Sequence, residues 1–98
     1  IKRALSISPD NSSAHYNLGR ILAARKQYDR AIEHLQEAVR LESDLAAYHN
    51  HLGLVFAESG QFEKAIEQYE AGLKIDPDNE TLQQGLSKTK AMQAGAGG

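Results

Sequence analysis

Apolar residues recur along this chain at helical spacing, in two pairs of stripes. His15, Leu18, Gly19 and Leu22 follow the i, i+3, i+4, i+7 spacing that puts residues on one helix face. Tyr28, Ala31, Ile32, Leu35, Ala38 and Val39 form a second stripe of the same kind. Both then return, as His49, Leu52, Gly53 and Phe56, followed by Phe62, Ala65, Ile66, Tyr69, Gly72 and Leu73. Short polar stretches, "ARKQ" and "ESGQ", separate the members of each pair. The pattern predicts two helical hairpins in tandem.

The return has a fixed period. Shifting the sequence by 34 positions carries Leu18 onto Leu52, Gly19 onto Gly53, Ala31 onto Ala65 and Ile32 onto Ile66. The same shift carries Tyr28 to Phe62, Leu35 to Tyr69, Ala4 to Ala38 and Leu5 to Val39. Gly19 and Gly53 fall mid-helix, where Gly costs roughly 1 kcal/mol against Ala. That cost is tolerated where a neighbouring helix must approach the backbone closely. Ala31 and Ala65 are the small partners on the second helix, and Leu22 and Phe56 fill the remaining volume. Gly60 suits the left-handed position that ends a helix. Lys26 stands at the same place one repeat earlier, where a positive φ would cost it about 1 kcal/mol. Pro9 and Pro77 end helices, and Asn11 and Asn79 are expected N-caps.

Helix-turn-helix units of 34 residues with this spacing resemble the tetratricopeptide repeat, whose signature is W-x₂-L-G-x₂-Y, then A-x₃-F, then P. The first copy here reads His15-x₂-Leu18-Gly19-x₂-Leu22, Ala31-x₃-Leu35 and Ser43. The second reads His49-x₂-Leu52-Gly53-x₂-Phe56, Ala65-x₃-Tyr69 and Pro77. The resemblance implies an all-α fold, a right-handed α-solenoid of antiparallel helix pairs. Residues 1–11 are expected to be the second-helix remnant of an upstream repeat, and 12–45 and 46–79 complete repeats. Residues 80–93 would be a terminal capping helix or a partial third repeat, and 94–98 a flexible tail.

Repeats of this type stack into a curved array with a concave face. The resemblance implies that the first helix of each pair lines that face and receives a ligand. The positions concerned are Ser13, Tyr16, Asn17, Arg20 and Ala24, then Ala47, Asn50, Leu54 and Glu58, then Gln84 and Lys88. Tyr16 offers a ring and a hydroxyl, Arg20 can fork onto a carboxylate, and Asn50 can pair with a peptide backbone. This chemistry suits a protein or peptide segment better than a small metabolite, which wants an enclosed apolar pocket.

Two specialised sites of the family are not expected. A chaperone-tail carboxylate clamp beginning in residues 12–45 would need Lys at Tyr16, Asn at Arg20, Asn at His51, and basic residues at Thr81 and Gly85. In the other register Asn17 fits, but Ala47 and His51 stand where Lys and Arg are wanted. Members linked to sugar-transfer enzymes carry an asparagine ladder at the place of Asn17, and His51 breaks it after one rung.

Composition narrows the function further. The chain has 98 residues, 41% of them hydrophobic and 24% charged, within the ordinary globular range. Eleven Lys and Arg against 13 Asp and Glu give a net charge of -2, with no basic stripe of the kind that grips nucleic acid. There is no cysteine, which excludes disulfides and thiolate sites. No apolar run approaches the roughly 18–20 residues that span a bilayer, so no membrane insertion is expected. The chain opens mid-pattern without Met, as a fragment would. The compartment is left open, with the cytoplasm favoured.

Catalytic and metal chemistry find little support. No G-x-S-x-G, P-loop or H-E-x-x-H motif is present, so no enzyme activity and no cofactor are expected. His49 and His51 are two apart and point to different faces of a helix. His15 and His49 are expected between paired helices, and His34 on a solvated face beside Glu33 and Glu37. Acidic residues such as Glu70 read as surface partners of bases such as Lys74. The expectation is a peptide-binding scaffold. The alternatives are a homo-oligomerisation module, favoured by exposed Ile1, Leu5 and Ile7 on an unpaired opening helix, or a non-catalytic targeting domain of a larger enzyme.

Overall fold

The computed structural model describes residues 11–97. They form five helices: α1 (Ser12–Ala24), α2 (Tyr28–Leu41), α3 (Ala46–Glu58), α4 (Phe62–Ile75) and α5 (Glu80–Gly97). No strand occurs among the described residues. The starts of α1, α3 and α5 fall 34 positions apart, as do those of α2 and α4. The fold is an all-α helical repeat solenoid in which α1 packs on α2, α3 on α4, and α5 on α4.

Each hairpin closes over a glycine. A Cβ on Gly19 would stand 2.6 Å from Cγ of Leu35, and one on Gly53 would stand 3.2 Å from the Tyr69 ring. The absent side chains let α2 and α4 lie against the backbones of α1 and α3. Leu22, Ala31 and Leu35 are buried in the first hairpin, and Leu52, Phe56, Ala65 and Tyr69 in the second. Large side chains of this kind each contribute about 1.5–3 kcal/mol through burial.

The turns inside the hairpins are alike despite different residues. Lys26 has φ 63° and Gly60 φ 85°. In the first turn the Lys26 N–H donates to the Ala23 carbonyl at 2.9 Å and the Gln27 N–H to Leu22 at 2.9 Å. In the second, Gly60 donates to Ala57 at 3.1 Å and Gln61 to Phe56 at 2.8 Å. These are the paired bonds of a Schellman ending. Lys26 therefore adopts the left-handed conformation that Gly60 adopts freely. Both expected asparagine caps form: Asn11 Oδ1 accepts from the Ala14 N–H at 2.9 Å, and Asn79 Oδ1 from Leu82 at 3.0 Å.

Four expectations need adjustment or fall outside the structure. The last helix runs on to Gly97 rather than ending at Gln93; Ala91 and Ala94 favour helix strongly, and Pro does not occur after Pro77. His34 is half-buried against α1 instead of lying on a solvated face. The ion pair among the described residues joins Glu37 to Arg40, one turn apart on α2, rather than Glu70 to Lys74. Ile1, Leu5, Ile7 and Pro9, and the upstream helix they were expected to form, lie outside the described residues.

Candidate functional site

The first helices of the successive units, α1, α3 and α5, lie side by side and form one face of the stack. Two open grooves run between them. One, between α1 and α3, is lined by Arg20, Ala23, Ala24, Lys26, His51, Leu54 and Glu58, with Tyr28, Leu35 and Val55 beneath. The other, between α3 and α5, is lined by Asn50, Leu54, Ala57, Glu58, Thr81, Gln84, Lys88 and Met92. Leu54 and Glu58 form the ridge shared by both.

The floor of the second groove comes from the helix behind. Tyr69 of α4 is 2% exposed and reaches between α3 and α5. It can do so because residue 85 is glycine: a Cβ there would stand 2.5 Å from the Tyr69 ring. The Tyr69 hydroxyl neighbours Thr89, itself buried. Burial raises the Tyr69 pKa, the neighbouring Thr89 side chain opposes that rise, and the nearby Glu58 charge adds to it. Leu54 and Met92 remain 42% and 37% exposed over this floor, an apolar surface open to solvent.

The wall between α1 and α3 is built from aromatic rings. Tyr16 stacks on Tyr48, with centroids 4.5 Å apart, and meets His51 edge-on at 5.1 Å. Its hydroxyl oxygen is 2.8 Å from His51 Nδ1, which also lies 3.2 Å from the Ala47 carbonyl. A carbonyl can only accept, so these contacts fit the Nδ1–H tautomer donating to both oxygens. Burial lowers the His51 pKa; the bond to Ala47 opposes this and the Arg20 charge reinforces it. The Arg20 guanidinium sits 5.5 Å above the Tyr16 ring. Burial likewise raises the Tyr16 pKa, against the opposing pull of Arg20 and with a further push from Tyr48.

The second groove thus brings together five residues expected to bind a ligand: Asn50, Leu54, Glu58, Gln84 and Lys88. Arg20 and Ala24 line the first groove, and with Asn17 and Ile21 they bound a shallow depression on α1. Ser13 and Ala47 are exposed on the same helices but line neither groove. Tyr16 is half-buried and its hydroxyl is engaged by His51, so it serves as wall rather than as a free polar handle. Tyr69 was expected in the core of its hairpin but not at this face, and Thr89 and Gly85 were not expected there either. The mid-helix Gly85 was the available signal, since it marks a close approach just as Gly19 and Gly53 do.

The histidines serve packing. His49 is buried, with Nε2 2.8 Å from the Ser43 carbonyl oxygen and Nδ1 2.8 Å from Gln68 Oε1. One repeat earlier, His15 stacks on His34 with Nδ1 atoms 3.1 Å apart. No cluster of three or more metal-ligating side chains occurs among the described residues, and no described helix is long and apolar enough to cross a membrane.

Hairpins stacked in register, with an open face lined by alternate helices, define a helical-repeat scaffold. The tetratricopeptide repeat family profile matches residues 10–78, and the chain belongs to the tetratricopeptide repeat family. Among solved structures it is similar to MamA, at 29% identity and TM-score 0.84 over 89% of this chain and 51% of that one. It is also similar to an O-GlcNAc transferase mutant of Thermobaculum terrenum, at 37% identity and TM-score 0.82 over 89% of this chain and 17% of that one. The Sgt2 tetratricopeptide domain of Aspergillus fumigatus matches at 26% identity and TM-score 0.81, covering 96% and 62%. The chain therefore spans about half the length of MamA and a small part of the transferase. A comparison with curated proteins finds no match.

Proposed function

We propose that this chain is a protein-interaction scaffold that holds a peptide or protein segment along the face formed by α1, α3 and α5. The observation that carries the reading is the groove between α3 and α5. Its rim of Asn50, Glu58, Gln84 and Lys88 is polar, while Leu54 and Met92 lie exposed above a preformed aromatic floor. Apolar anchors flanked by hydrogen-bonding groups are what a bound segment needs for affinity and register. The O-GlcNAc transferase similarity is compatible with such a scaffold serving as a recognition arm of a larger enzyme.

Arg20→Ala combined with Asn50→Ala tests the reading. A partner recovered on the immobilised protein should bind at least about tenfold more weakly, with the helical circular dichroism signal unchanged. Unaltered binding by the double variant refutes the assignment of this face.

A second reading, self-association through an end of the stack, is favoured by one comparison. Val55 is 1% exposed, whereas Ile21, which stands 34 positions earlier, is 52% exposed. The stacking side of α1 thus carries an apolar residue that the described residues leave open. If it joins two copies, light scattering will show a dimer at tens of micromolar that Ile21→Glu converts to monomer. A monomeric parent protein rules this out.

A further inference from the structure

We propose that the groove selects an extended acidic segment carrying one apolar side chain midway between two carboxylates. The proposal rests on the concave-face reading above and gives it a ligand chemistry. Its starting point is a charge imbalance. The chain as a whole carries a net charge of -2, yet the charged residues lining the two grooves are Arg20, Lys26 and Lys88 against Glu58 alone. The face is locally basic on an acidic protein, and that contrast favours acidic ligands over basic ones during encounter and docking.

The arrangement of those charges sets the pattern. Arg20, Leu54 and Lys88 occupy the same position of three successive units, each 34 residues apart. They therefore form one row across α1, α3 and α5, with a cation at either end and an exposed leucine in the middle. Neighbouring packed helices lie about 8–10 Å apart, so the two cations stand roughly 20 Å apart. An extended chain rises about 3.3 Å per residue, and about six residues cover that span. A carboxylate at each end would meet Arg20 and Lys88. The side chain midway would settle on Leu54 and Met92 above Tyr69.

The remaining polar residues fit the same ligand. Asn50 and Gln84 lie one turn before the row and supply donors and acceptors for the backbone of an extended segment. Glu58 lies one turn beyond it, in the depression that also contains Lys26. Its carboxylate repels acidic groups from that lip and so directs them to the Arg20–Lys88 row.

The test is selection from a random twelve-residue peptide display library against the 98-residue chain, followed by fluorescence anisotropy on synthetic peptides. The proposal expects enriched peptides with Asp or Glu about three residues on either side of Leu, Ile, Val or Met. Arg20→Gln and Lys88→Gln should each weaken these peptides about two- to fivefold and flatten their salt dependence. Leu54→Ser should weaken them about tenfold, and Glu58→Gln should strengthen them about twofold. All four side chains are exposed, so circular dichroism should be unchanged.

Enrichment of basic or uncharged peptides that shift the amide resonances of Asn50, Leu54 and Gln84 would overturn the acidic pattern and leave the concave-face reading standing. Enriched peptides that shift resonances elsewhere, or no enrichment at all, would overturn both. Acidic peptides insensitive to Arg20→Gln and Lys88→Gln would overturn the row.

Discussion

Replacing Lys26 by Gly is expected to stabilise this domain, although it removes a side chain and adds backbone freedom. Lys26 has φ 63° in a turn that shares both Schellman bonds with the turn at Gly60. Holding an L residue in the left-handed region costs about 1–2 kcal/mol, and Lys26→Gly removes that cost. Glycine adds conformational freedom to the unfolded chain, which offsets about 0.4–1 kcal/mol. The net gain is about 0.5–1 kcal/mol. At about 2.1 cal/mol/K per residue, unfolding the described residues 11–97 has an entropy near 0.2 kcal/mol/K, so the melting temperature should rise by about 2–5 °C. Lys26 is also charged, so Lys26→Ala is the necessary control: it removes the charge and keeps the backbone cost. Urea unfolding followed by circular dichroism should place Lys26→Ala within a few tenths of a kcal/mol of the parent and Lys26→Gly above both. The reverse change, Gly60→Ala, should lose about 1 kcal/mol through φ alone, because a Cβ there would touch nothing within 4 Å. If the Gly and Ala variants at position 26 prove equally stable, backbone strain is not stored in this turn.

Two further predictions concern the packing and the wall of the groove. Gly19→Ala should destabilise by about 1–3 kcal/mol, since its Cβ would stand 2.6 Å from the fully buried Leu35, whereas Gly53→Ala, with 3.2 Å to the Tyr69 ring, should stay within about 1 kcal/mol of the parent. Denaturation midpoints decide this, and equal losses would refute the clash argument. Burial holds the His51 pKa below its ordinary 6.5, so the folded state resists a proton that the unfolded chain accepts. Its contribution to stability is fully present above pH 6.5 and is lost as pH falls through the lower folded value. The urea midpoint should therefore drop from about pH 7.5 to about pH 5 in the parent, and drop less in His51→Asn; identical slopes would refute the assignment.

The scaffold was legible because burial acts at the same place in every unit. Leu22 and Phe56, or Ala31 and Ala65, face the same neighbour within their own hairpin, and a helical period is enough to say which face that is. Contacts between hairpins carry no such signature. Tyr16 reads as an exposed ring with a free hydroxyl until α3 is stacked beside it, when His51 takes the hydroxyl and Tyr48 takes the ring face. His34 reads as surface because its neighbours Glu33 and Glu37 are charged, yet it occupies the position of Gln68 and turns toward the histidine of its own hairpin just as Gln68 does. Tyr69 belongs to the core of its hairpin and also forms the groove floor, a second role that depends on Gly85 in another helix.

The same contrast separates scaffold from specificity. Where the period is kept, at Leu18 and Leu52 or Gly19 and Gly53, a change disturbs a contact that every hairpin needs. Where it is broken on the open face, the residues are free of that duty: position by position, Arg20, Leu54 and Lys88 differ, as do Ala24, Glu58 and Met92. None of these six is needed to close a hairpin, and all are exposed. A substitution among them should therefore alter what the groove holds while leaving the fold intact, and one among the repeating residues should do the reverse. Leu54 is the sharpest case, because a leucine 42% exposed on a helix whose other large apolar residues are buried has no packing reason to be apolar.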